Sequence, residues 1–348
     1  MLTRLLKQSN LMARLRAAWR QDAEDVMKPV RKELRRLTHE VEQLQQTLQE
    51  TSVRAARGDR SASQLRAMAE LNEQQRHRLA ALPALLDKEH LTAWLNRAVG
   101  AATMRVEPFH HIVVEELLPP PVYELLIEAL PPAVFFSDHD PIKQDLPLPV
   151  AFGPALATSV WNFVDDVLAR QLIQPAVLDK FHGPLQHHYE TIFGPEFVEP
   201  ANQLPQLPSG GRVMLRRPGY HLEPHRDPKR SLLTCLLYLA RPGDSDAHGT
   251  QLFDVAGDDE APFKQTYYPR DHGHRCELAA VVPFRPNTML VFLNSRGAHG
   301  ATIPGDLPAD LERYAYQFYV APQNAALGAL IRQLPGERRA RWQNRSNT

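Results

Sequence analysis

The chain has little cysteine, no net charge and no long apolar run. Only Cys235 and Cys276 occur in 348 residues. That excludes a disulfide framework and leaves room for one bond at most. Both lie in apolar, strand-like surroundings that suit buried reduced thiols, and the expected compartment is cytoplasmic. Forty basic residues match forty acidic ones. No overall field therefore draws the chain to nucleic acid, which is not an expected partner. No apolar stretch approaches the ~20 residues of a membrane span. The first twenty residues carry Arg4, Lys7, Arg14, Arg16 and Arg20 and no acid. Arginines interrupt LMARLRAAWR where a signal peptide needs an unbroken apolar segment.

What is present is ordinary globular material, 43% hydrophobic and 23% charged, at a length that suits one large domain with an accessory region, or two domains. Residues 1–100 read as a helical, coiled-coil-like N-terminal region. Met27, Val30, Leu34, Leu37, Val41, Leu44 and Leu48 alternate spacings of three and four, a heptad seam. It either packs on the chain's own body or joins copies into a homo-oligomer. Further helices are expected over about Ser61–Leu79 and Lys88–Val99. HHIVVEELLPPPVYELLIEALP then predicts a strand, a proline-rich turn and an amphipathic helix. Residues 152–181 read as helical and 195–208 as irregular. From Gly211 the period becomes that of strands: RVMLRR, SLLTCLLYL, GTQLFDV, ELAAVV, NTMLVFLN and RYAYQFYV, separated by turn signals. Strands without intervening helices predict an antiparallel sandwich or barrel, with the preceding helices covering one face. Residues 326–348 read as a polar basic tail.

The polar interruption PGYHLEPHRD stands before an apolar strand. His225 and Asp227, two residues apart, point the same way if they lie on or just after a strand. Two histidines and one carboxylate suit Fe(II) and leave coordination positions open. FLNSRGAHGA supplies a second histidine, His299, about seventy residues on. The bland alternative is a solvated strand face in a chain with 15 histidines. A kinase HRD loop needs Asn five residues beyond the Asp, where this chain has Leu232. His110, His111, His187 and His188 also pair but lack a carboxylate at ligand spacing. They read as surface or strand-end residues, with His187 and His188 as candidates to line a substrate approach.

From these motifs the C-terminal part, about Val106–Val320, resembles the Fe(II)/2-oxoglutarate-dependent dioxygenases, in particular their prolyl-hydroxylase-like branch. The resemblance implies a mainly β domain over 105–325 whose core, 211–321, is a double-stranded β-helix (jelly roll). It implies His225, Asp227 and His299 as iron ligands, with 2-oxoglutarate and O2 as co-substrates. It implies Arg313, opening RYAYQFYV, as the partner of the co-substrate's distal carboxylate, and Tyr238, in SLLTCLLYL, as a hydrogen-bonding group there. Arginine's planar fork suits a carboxylate; without the triad, Arg313 would read as a strand-end residue and Tyr238 as a core tyrosine. Two features depart from the family. ATIPGDLPADLE lengthens the link between His299 and Arg313, and Arg217 stands before the Pro-Gly turn where the resembled enzymes carry tyrosine. Arg217 is thus a candidate substrate contact or a solvated residue.

Asp227 fills the place that related halogenases leave small, so the expected reaction is hydroxylation of a small molecule or peptide, releasing succinate and CO2. The alternatives are a scaffold or binding protein with a catalytically idle jelly roll, and a cupin-like metal enzyme, which usually has more histidines at tighter spacing. Substrate choice is expected in 201–210, 242–249, 254–274 and 301–312, with 264–275 at the mouth.

Overall fold

The computed structural model describes residues 39, 42, 43, 46, 57–137, 139–257 and 265–342. The seam from Met27 to Leu48 lies outside them. The chain divides into two units, 1–63 and 64–348. In the first, every described residue is helical. The second unit carries the remaining elements.

There, helices α1 (64–74), α2 (Arg76–Leu85) and α3 (Lys88–Ala101) lead into the β region. Asp87 caps α3 by accepting the His90 N–H at 2.7 Å. Leu91, Leu95 and Val99, spaced by four, are buried on one face. Strand β1 (His111–Val114) precedes α4 (Pro120–Glu128), whose first residue is a proline, where no helical N–H is needed. Strand β2 (Lys143–Pro147) follows. Helix α5 (Ala155–Phe163) runs through a π-helical stretch, Val164–Ile173, into α6 (Gln174–Lys180), α7 (His182–Phe193) and the short α8 (Val198–Asn202). No helix among the described residues is long and apolar enough to cross a membrane.

The remaining strands are β3 (Gln206–Arg216), β4 (His221–His225), β5 (Leu233–Tyr238), β6 (Thr250–Val255), β7 (Cys276–Val282), β8 (Thr288–Leu293), β9 (Ala298–Thr302) and β10 (Arg313–Pro322). They form two antiparallel sheets. The larger has the order β1-β8-β5-β10-β3-β2 and the smaller β4-β9-β6-β7. Strand alternation sorts the larger sheet's side chains between two surfaces. Leu233, Cys235, Leu237, Val213, Leu215, Tyr316 and Phe318 share a core with Trp161, Leu168 and Leu95 of the helices. Leu236, Tyr238, Leu290 and Phe292 instead pack with Leu252 of the smaller sheet. The larger sheet is thus covered by helices on one face and by the smaller sheet on the other. This explains why β5 and β8 are buried throughout.

Three expectations change. Residues 195–208 are not irregular throughout: α8 lies within them and β3 begins at Gln206. Strands β2 and β9 stand where none was expected. The segment read as a tail folds as α9 (Asn324–Gln333) and α10 (Gly336–Ala340). Leu327, Leu330 and Leu334 form an apolar stripe, and Trp342 stacks on Phe193 at 4.9 Å between ring centroids.

Candidate metal centre

His225 is the last residue of β4, and its Cα partner across the ladder is His299 on β9. A close approach of β9 to its neighbours is built into the glycines around His299. Gly297 turns with φ +67°, and a Cβ there would collide with the Phe109 ring and the Phe253 carbonyl. At Gly300 a Cβ would lie 2.7 Å from the Leu222 carbonyl oxygen of β4. The two imidazoles therefore stand with ring centroids 4.1 Å apart. Asp227, two residues past His225, brings its carboxylate between them. Its Oδ1 is 3.9 Å from His225 Nε2 and its Oδ2 is 3.7 Å from His299 Nε2. The three ligand atoms lie within 4.8 Å of one another, and all three residues are buried.

Neighbouring groups orient each member. The Nδ1 of His225 is 2.9 Å from the Glu223 carbonyl; as an N–H donor to it, the ring leaves Nε2 free for the centre. The Thr234 hydroxyl donates to Asp227 Oδ2 at 2.7 Å, and Tyr319 donates to Oδ1 at 3.2 Å. Asn294 holds Thr234 in turn, donating to its Oγ1 at 2.8 Å and to the Ser231 carbonyl at 2.8 Å. Burial, with the nearby His225, pushes the His299 pKa down to about 3, against the pull of Asp227. His299 is thus neutral at pH 7, as a metal ligand must be. A buried carboxylate held by neutral hydroxyls beside imidazole nitrogens is short of positive charge. Two imidazoles and one carboxylate match the donor set of a non-haem Fe(II) site, so the residues fit that ion.

The triad opens on a cavity of about 230 Å³ between the two sheets. Tyr238 and Arg313 line its other end. They come from neighbouring strands, where Tyr238 pairs with Ala315. The Tyr238 hydroxyl donates to Thr250 Oγ1 at 2.7 Å, and burial pushes its pKa up to about 12. Arg313 donates through Nη1 to the Ala247 carbonyl and lies over the Phe284 ring, 3.7 Å from its centroid. Its Nη2 is buried with no hydrogen-bond partner. Burial pushes its pKa down to about 10, which leaves it charged at neutral pH.

Arg217, the candidate substrate contact or solvated residue, does not line the cavity. Its guanidinium is held outside by Glu312 at 2.6 Å, by the Pro141 carbonyl at 2.8 Å and by Gln144. Strand alternation instead turns Arg212, Met214 and Arg216 into the cavity, and Tyr220 follows the turn there. These residues were missed, as were Lys143 and Tyr319. The alternation in RVMLRR was the available signal, but it does not say which face looks inward. Of the segments expected to tune specificity, His248, Thr266, Tyr268 and Ala301 reach the cavity wall. Arg226, between two ligands, points away, donating to the Gly297 carbonyl at 2.7 Å. With His110, His187 and His188 it lines a separate cavity, so these histidines do not approach the triad.

No protein-family model matches the chain, and no curated protein matches it. Among solved structures, it is similar to a Pseudomonas putida prolyl-4-hydroxylase, at 16% identity and a TM-score of 0.35, covering 66% of this chain and 100% of that one. It is similar to HygX from Streptomyces hygroscopicus, solved with nickel, 2-oxoglutarate and hygromycin B bound, at 15% identity and a TM-score of 0.36, covering 62% and 83%. AviO1 from Streptomyces viridochromogenes Tue57 matches at 11% identity and a TM-score of 0.37, covering 69% and 96%. At such values the functional reading stands on the site's own residues.

Proposed function

We propose that this chain is an Fe(II)- and 2-oxoglutarate-dependent oxygenase of double-stranded β-helix fold that hydroxylates a small molecule or peptide. The observation that carries the reading is one cavity with the buried His225–Asp227–His299 set at one end and the unpartnered Arg313 Nη2 at the other. His225, Asp227 and His299 would hold Fe(II). Iron held there would supply, with 2-oxoglutarate and O2, the oxidising chemistry that places one oxygen atom in a substrate C–H bond and the other in succinate as CO2 leaves. Arg313 supplies a fixed cation for the distal carboxylate, and Tyr238 a neutral hydroxyl beside it. Thr234 and Tyr319 fix the orientation of Asp227. Leu222, Met214, Leu236 and Phe284 give the walls an apolar character that limits water near the reacting atoms. No ligand is missing, so an idle scaffold is not favoured.

The same proposal places the protein in the cytoplasm, where the free thiols of Cys235 and Cys276 would persist. The seam from Met27 to Leu48 is the element proposed to join copies. The test of the oxygenase reading is succinate release. Protein supplied with Fe(II), 2-oxoglutarate and O2 forms succinate, and a His299→Ala protein does not. Absence of succinate under all substrate mixtures, including metabolite extracts screened by mass spectrometry for a gain of one oxygen, contradicts it.

A further inference from the structure

We propose that the substrate carries an anionic group, a carboxylate, phosphate or sulfate, which docks on the β2–β3 wall of the cavity. This rests on the oxygenase reading, because it concerns the positive charge which that reading leaves unused.

Arg212 and Arg216 face the cavity from β3, and Lys143, the Cα partner of Arg216 on β2, lines the same wall. The two arginines share one carboxylate, Asp145, which stands opposite Met214. Asp145 Oδ1 is 2.8 Å from Arg216 Nη2, and its Oδ2 is 3.9 Å from Arg212 Nε. Arg216 is only 7% exposed. Its Nη1 donates to the carbonyls of Gln144 at 2.7 Å and Leu215 at 3.0 Å, and its guanidinium lies over Tyr220 at 5.1 Å. Its Nε is buried with no hydrogen-bond partner. The Arg212 Nε also makes no hydrogen bond, with Asp145 as its facing charge, while the Arg212 Nη2 donates to Gln317 Oε1. A guanidinium held this firmly with an N–H left over is arranged for an acceptor that arrives from outside.

The co-substrate does not account for both sets. It has one distal carboxylate, and Arg313 already offers an unpartnered Nη2 for it. Arg313 and Arg216 are cross-strand neighbours, but their head groups diverge. Arg313 turns to Ala247 and Phe284, whereas Arg216 turns to Gln144 and Asp145. Arg212 lies nearer the metal end, beside Tyr319, which hydrogen-bonds Asp227. An anion on Arg212 is therefore one side chain away from the triad. That favours a compact acidic substrate, with the oxidised carbon a few bonds from the charged group, over a neutral peptide.

Sulfate is the probe, because it is a weak metal ligand. It is titrated calorimetrically, at constant ionic strength, into the anaerobic protein·Fe(II)·2-oxoglutarate complex, whose visible charge-transfer band reports that metal and co-substrate stay bound. Wild type is expected to bind one sulfate with the band retained, and dimethyl sulfone, its neutral analogue, not to bind. Arg212→Gln and Arg216→Gln should each weaken sulfate about tenfold or more. Arg212 is the more exposed, so its variant keeps the test open if the other fails to fold. Acetate and inorganic phosphate, titrated alongside, distinguish a carboxylate from a phosphate as the preferred group. Wild type that shows the band but binds none of the three anions, or binds them as tightly in both variants, overturns the inference and leaves the oxygenase reading intact. Absence of the band removes both.

Discussion

Replacing Arg313 with glutamine should separate affinity from stability. In the free protein the guanidinium is already buried, charged and positioned, with one N–H unpartnered. A carboxylate arriving there gains charge-assisted hydrogen bonds worth about 1.5–3 kcal/mol each, less its own desolvation. A net loss of about 2–4 kcal/mol on substitution is the result, and this weakens 2-oxoglutarate roughly 30- to 700-fold. Stability follows a different sum. Removing the orphaned N–H relieves roughly 1–3 kcal/mol, while losing the stacking over Phe284 costs about 0.5–2 kcal/mol and losing the hydrogen bond to the Ala247 carbonyl about 1.5–3 kcal/mol. The balance is a loss of about 1–2 kcal/mol in the unfolding free energy, smaller than the loss in binding. Anaerobic calorimetry of 2-oxoglutarate on the Fe(II)-loaded protein measures the first quantity and urea unfolding the second. Unchanged affinity, or a large loss of stability at wild-type affinity, would refute the assignment and make Arg313 a structural residue.

Three further outcomes are expected. Thr234→Val removes the hydroxyl that donates to Asp227, and should weaken Fe(II) binding about 10–100-fold in competition with a chelator; wild-type affinity would show that Asp227 does not depend on Thr234. Trp161 is fully buried and donates to the Ala129 carbonyl at 2.9 Å, so Trp161→Ala should cost about 3–5 kcal/mol in urea unfolding. Burial alone would raise the Glu312 pKa, but the hydrogen bonds from Tyr314 and Arg217 and the charges of Arg217 and Arg241 prevail and lower it. A lowered folded pKa contributes stability above the ordinary value, lost as pH falls through the folded one. Glu312→Gln should therefore cost about 1 kcal/mol at pH 7, and the gap from wild type should close on acidification below about pH 4.5. A gap independent of pH would assign the effect to shape instead of charge.

The triad was legible because metal chemistry restricts both residue type and spacing. His225 and Asp227 form a local pair, and His299 follows one of the chain's most apolar strands. Tyr238 and Arg313 entered through the family resemblance, since by pattern alone they read as a core tyrosine and a strand-end arginine; the structure places both on the wall of the triad's cavity. Strands β2 and β9 were not legible. KQDLP and AHGAT are poor in strand formers and are held by ladder partners far along the chain, Arg216 with Lys143 and His225 with His299. The two readings of Arg217, substrate contact or solvated residue, differ by face. In RVMLRR two arginines adjoin, and a shift of one residue exchanges the cavity for the outside. Only the position of Met214 against the inter-sheet core shows that 212, 214 and 216 face inward. Helix α9 was hidden by the basic residues that follow it, although Leu327, Leu330 and Leu334 already had helical spacing.

The most direct test is an anaerobic titration of the purified protein with Fe(II) and then 2-oxoglutarate, followed by visible absorption. A weak charge-transfer band should appear only when both are present, saturate at one equivalent of each, and be absent from Asp227→Ala. A wild-type protein with no band at saturating Fe(II) and 2-oxoglutarate, or an Asp227→Ala protein with the same band, would contradict the assignment of His225, Asp227 and His299 as the iron site.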